Sequence, residues 1–134
     1  MNSPIYHHTI TVQPGDLDEL NHVNNVVYLQ WVQDAASAHW NAFATQAIKE
    51  KFFWVVLRHE INYKTPALLG DEIIAKTWVQ DYQGAKSTRI VQLFRARDNL
   101  LLAEAKTLWC LMSRQTGRPT RIGEDIKEVF VSGT

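Results

Sequence analysis

The chain has 134 residues, of which 46% are hydrophobic and 21% charged; that fits one compact domain with a real core, and two would be cramped. Fourteen Lys and Arg balance fourteen Asp and Glu, and a pI near 7.0 excludes the broad basic footprint of non-specific nucleic-acid or anionic-membrane binding. One cysteine, Cys110, rules out an intrachain disulfide or a cysteine-built zinc site, so a reducing, cytoplasmic setting is expected. The N-terminal MNSPIYHHTI lacks the basic-then-apolar pattern of a secretory leader, and no apolar run reaches membrane-spanning length.

Residues 5–13, IYHHTITVQ, are rich in β-branched and aromatic types and predict a first strand, stopped by Pro14 and Gly15. GDLDELNHVNNVVYLQW follows at 15–31, a dense polar cluster running into the most helix-like part of the chain. Either Asn24 or Asn25 suits an N-cap, and Asn21 suits a left-handed turn. From Val27 to about Lys49 there is no Gly or Pro, and Tyr28, Trp31, Val32, Ala35, Ala36, His39, Trp40 and Phe43 recur at helical spacing. This predicts one amphipathic helix of about five turns.

Four strand candidates come next, at 52–66, 72–83, 86–98 and 100–114, separated by the turn signals ALLGD, QGA and DN. Short turns between consecutive strands predict an antiparallel meander, and residues 122–130 a short terminal helix. The expected architecture is α+β, a curved antiparallel sheet of about five strands wrapped around one long central helix. Such a sheet leaves an edge and a face partly uncovered, so a homodimer or homotetramer is expected.

The polar cluster can be read in two ways. Asp and Asn ahead of a helix are turn and cap residues in most proteins. Equally, the free N–H groups of a helix first turn form a donor site for developing negative charge, and the two aspartates and the histidine of the cluster stand beside it. Elsewhere, Cys110 in LWCLM is read as a buried, inert thiol. His7, His8, His39 and His59 have no ligand spacing, so no metal is assigned. The five tryptophans are assigned to the core, to a subunit interface or to a ligand pocket. Lys64, Lys86, Arg89, Arg114, Arg118 and Arg121 are the cations from which contacts to an anionic ligand would be drawn.

Asp16, Asp18, His22, Val23, Asn24, Asn25, Tyr28 and Trp31 form the pattern D-x-D-x-x-x-H-V-N-N-x-x-Y-x-x-W. It resembles the signature of the hotdog-fold acyl thioesterases, specifically the 4-hydroxybenzoyl-CoA thioesterase-like branch, and is also similar to the plant acyl-carrier-protein thioesterases. INYKTPALLGDEI and LLAEAKTLWCLMSRQTGRPTRI extend the resemblance to about residues 8–130. Asn21 stands where most members have glycine, and Leu20 where the plant enzymes have asparagine.

The resemblance implies a single hotdog domain over residues 1–134 and hydrolysis of an acyl-CoA, or acyl-carrier-protein, thioester without a cofactor. Asp18 would attack the carbonyl or activate water, and the Asn25 backbone N–H would bind the oxyanion, while His22 and Asn24 organise the loop and helix entrance. Tyr28, Lys64, Lys86, Arg89 and Arg118 are the residues expected at the acyl-CoA. The rival readings are a hotdog hydratase or dehydratase and a non-catalytic acyl-CoA-binding protein.

Overall fold

The computed structural model describes residues 3–131. Strand β1 (Tyr6–Thr11) leads through a short 3₁₀ turn (Pro14–Asp16) to the long helix α1 (Asn25–Phe43). Helix α2 (Gln46–Lys51), strands β2 (Phe52–Tyr63), β3 (Glu72–Gln83), β4 (Lys86–Arg95) and β5 (Leu100–Ser113), and helix α3 (Glu124–Val131) follow. The five strands form one antiparallel sheet in the order β1-β3-β4-β5-β2. Register shifts at Val56/Arg58, Val79/Asp81 and Leu93/Phe94 bend the strands, as bulges do, so that the sheet curls around α1. This is the hotdog arrangement that the resemblance implied. Among the described residues no helix is long and apolar enough to cross a membrane.

Strand alternation decides what faces the helix. Ile73, Ala75, Thr77 and Val79 of β3 and Ser87, Arg89, Val91 and Leu93 of β4 are buried, while their neighbours are half-exposed. Against them α1 lays Tyr28, Trp31, Val32, Ala35, Ala36 and His39. Beyond this cluster, α3 brings Ile126, Val129 and Phe130 onto Val79 and Leu111.

Two expectations are corrected. The helix expected to run unbroken to Lys49 ends at Phe43, because Thr45 accepts a hydrogen bond from Ile48 N–H at 3.2 Å and so caps a separate short helix. The four later strands are not a simple meander either. β2 pairs with β5 at the far edge of the sheet, and residues 64–71 cross to β3. ALLGD is a real turn, in which Leu68 N–H donates to the Asp71 carboxylate and Gly70 holds φ +85°, but it closes a crossover instead of a hairpin.

The crossover is fastened to α1 by Tyr28, whose buried hydroxyl accepts from the Ala67 N–H at 2.8 Å. Burial raises the Tyr28 pKa, which keeps the hydroxyl neutral. Tyr28→Phe leaves that N–H buried without an acceptor, and chemical denaturation should show a loss of about 1–3 kcal/mol.

Arg89 lies inward in the middle of β4 and is 4% exposed; it is not a strand-end cation facing solvent. Its Nη1 donates to His39 Nδ1 and Thr77 Oγ1, each at 3.0 Å. A guanidinium only donates, so His39 must be neutral with its proton on Nε2. Burial first, then the Arg89 charge, lower the His39 pKa to about 3. The unfolded chain therefore binds a proton that the native state refuses between pH 6.5 and 3. Stability is full above 6.5 and falls with pH by up to about 1.4 kcal/mol per unit in that window. Burial also lowers the His59 pKa, so the contribution of His39 is isolated by a variant. His39→Gln should flatten the decline of unfolding free energy between pH 6.5 and 4.5, measured by denaturant titration at each pH.

Candidate active site

The loop between β1 and α1 folds back on itself. Asp18 N–H donates to His22 O at 2.8 Å, Leu17 bridges Val23, and Asn24 N–H donates to Asp16 O at 2.9 Å. Asn21 turns the tip at φ +61°, which a short polar side chain tolerates and which explains how it can stand in a position where most resembling chains have glycine. The loop is braced from below, where Val23 N–H donates to Ala67 O at 3.1 Å and His22 bridges Leu68.

Within this loop the two aspartates differ. Asp16 Oδ2 accepts from Gln13 N–H at 2.8 Å, a local bond that closes the 3₁₀ turn. Asp18 Oδ1 accepts from the N–H groups of Leu20 and His22 at 2.9 and 3.2 Å, while its Oδ2 has no hydrogen-bond partner among the described residues. One oxygen therefore fixes the carboxylate and the other is left over. Of the two N-cap candidates the cap is Asn24, whose side chain accepts from Val26 N–H at 3.0 Å. Asn25 is thus the first helical residue, and its N–H has no acceptor among the described residues. Such a group at a helix start carries the positive end of the dipole. His22 is exposed.

The residues expected at the substrate do not gather. Tyr28 is 2% exposed and is engaged with Ala67, Trp31 and Tyr63, so it holds the helix entrance in place. Tyr63 completes the brace by donating to Asn25 O at 3.2 Å. Lys64 is exposed where β2 ends, at the same end of the sheet as the loop. Lys86 begins β4 and Arg118 follows β5, both at the opposite end. Arg89 is in the interior.

A cavity of about 280 Å³ lies beside the C-terminal half of α1, walled by Trp40, Trp54, Trp109 and Phe130, with Arg89 on its lining. Trp40 is some fifteen residues past Asn25, about 22 Å along the helix, so within one chain the cavity is remote from Asp18. The sequence gives the tryptophans but not their convergence, since they come from α1, β2 and β5.

A comparison with curated protein sequences gives no match. Solved structures of similar shape include a 1,4-dihydroxy-2-naphthoyl-CoA thioesterase, Slr0204, from Synechocystis, 16% identical over 96% of this chain and 97% of that one, with TM-score 0.83. A probable thioesterase from Bartonella henselae is 24% identical over 89% and 98%, with TM-score 0.76. The hypothetical protein SAV2348 from Staphylococcus aureus, in complex with CoA, is 18% identical over 96% and 83%, with TM-score 0.83. The match to the Thioesterase-like superfamily runs over residues 12–130; it takes in the entrance loop, the long helix and strands β2 to β5, and the chain accordingly belongs to that superfamily, as a thioester hydrolase of hotdog fold.

Proposed function

We propose that this chain hydrolyses acyl-CoA thioesters, with Asp18 as the reacting carboxylate and the Asn25 N–H as oxyanion donor. The observation that carries the reading is the division of labour at the loop: one Asp18 oxygen is held by two backbone N–H groups, and the other is free to react. The electrophile is a thioester carbonyl, whose thiolate is a good leaving group. Either Asp18 bonds to the carbonyl carbon and the C–S bond breaks, leaving an anhydride that water opens, or Asp18 takes a proton from water as the hydroxyl adds. In both routes negative charge grows on the carbonyl oxygen, where a preorganised N–H at a helix start is worth about 3–4 kcal/mol. CoA as the carrier is in keeping with the CoA-bound neighbour from Staphylococcus aureus and with the exposed Lys64 at the same end.

Asp18→Asn keeps an oxygen acceptor for Leu20 and His22 but removes the charge. It should lower thiol release from an acyl-CoA by at least about 10²- to 10⁴-fold with the circular dichroism spectrum unchanged. Asp16→Asn should cost little activity, and His22→Ala and Asn24→Ala should fall between. A folded Asp18→Asn protein with wild-type turnover would refute the assignment. Hydrated enoyl product without free thiol would instead favour the hydratase reading.

A homodimer or larger assembly belongs to the same proposal. β2 is a twelve-residue edge strand with unpaired backbone groups along one side, which a second copy can cover. Leu57 and Tyr63 on it are 50% and 45% exposed. Light scattering at micromolar concentration should give at least twice the 15.4 kDa chain mass; an active monomer would overturn this.

A further inference from the structure

We propose that the cavity beside the C-terminal half of α1 is a binding site for a small flat organic carboxylate, with Arg89 receiving the carboxylate group. The proposal does not depend on the role of Asp18, which lies at the other end of the helix.

The ion pairs among the described residues are Arg58 with Glu60, Arg95 with Asp98 and Lys127 with Glu124, so the buried Arg89 has no carboxylate partner among them. A guanidinium in the interior without a counter-ion is costly and is seldom left so. Lys49 and Arg114 also line the cavity, and among the described residues no Asp or Glu does. Burial lowers the Arg89 pKa only to about 10, which leaves it charged at neutral pH.

Donors are in surplus as well. Nη1 of Arg89 is used by His39 and Thr77, whereas its Nε and Nη2 have no acceptor among the described residues. The indole Nε1 atoms of Trp54 and Trp109 are buried without a partner among the described residues, and both side chains wall the cavity. A carboxylate supplies two oxygens in the geometry that a guanidinium fork matches. Shape then selects the rest of the ligand. Trp40 meets Trp54 edge-on at 5.8 Å and Phe130 at a tilt at 5.7 Å, and about 280 Å³ is at the small end of ligand pockets. One or two aromatic rings fit that description. Thioester hydrolysis releases a carboxylic acid, so a product of the proposed reaction belongs to the class this cavity would take.

The test is calorimetric titration of the full chain with 2-naphthoate and with the neutral 2-naphthalenemethanol. Wild type should bind the acid at least about tenfold more tightly than the alcohol. Arg89→Gln should erase that preference, weakening the acid about tenfold and leaving the alcohol within about twofold. Asp18→Asn should bind the acid as wild type does, whatever its effect on hydrolysis. Should Arg89→Gln not fold, the more exposed pair Lys49→Gln/Arg114→Gln gives a second reading, with the acid weakened a few-fold and the alcohol unaffected. Equal affinity for acid and alcohol in wild type, loss of acid binding in Asp18→Asn, or displacement of the acid by free CoA would each overturn the proposal.

Discussion

The hydrogen bond between the Ala67 N–H and the Tyr28 hydroxyl is the fastening on which the geometry of the entrance loop depends. Tyr28 sits in the first turn of α1, Ala67 in the crossover between β2 and β3, and both are buried. Ala67 in turn accepts from Val23, and Leu68 bridges His22. Helix start, crossover and loop 16–24 are therefore held as one unit by backbone groups that have no other way to be satisfied in the interior. Asp18, held in this loop through one carboxylate oxygen, therefore keeps a defined position relative to the helix N-terminus.

Helix α1 joins two ends of opposite character. Its N-terminal end is polar and open, with an Asp, a His and several Asn residues around a free N–H. Its C-terminal half is flanked by aromatic rings and by Arg89, Lys49 and Arg114. The small Ala35 and Ala36 between them, 0% and 6% exposed, let the sheet approach closely, which separates the two ends with packed apolar atoms.

The His39 and Arg89 pair illustrates how a buried charge is housed without a salt bridge among the described residues. Arg89 is held by a neutral imidazole, a hydroxyl and the face of Phe130, 5.1 Å from its carbon centre. Each contact is weaker than an ion pair and none cancels the charge. Tyr82 nearby has its pKa pushed up to about 12, burial outweighing the lowering by Arg89, so it gives no anion either.

Local pattern determined much of this protein. Helical spacing from Tyr28 to Phe43 predicts α1, alternation predicts the strands to within a few residues, and Asn24 and Asn21 take the cap and left-handed positions that their short polar side chains favour. The resemblance singles out Asp18 from Asp16 because its pattern lies in one contiguous stretch, and the hydrogen bonds of the two aspartates differ. Pairing order was not legible. ALLGD reads as a turn in either topology, and only the long-range pairing of β2 with β5 decides that it closes a crossover. The burial of Arg89 was not legible for a related reason. Strand parity sends residues 87, 89, 91 and 93 to one face, but which face is buried depends on where α1 lands, and a lone charge in the sequence argues for the wrong one. The aromatic cavity likewise required residues from α1, β2 and β5 to converge, because a contact between segments far apart in the chain is set by packing and leaves no periodic trace in any one of them.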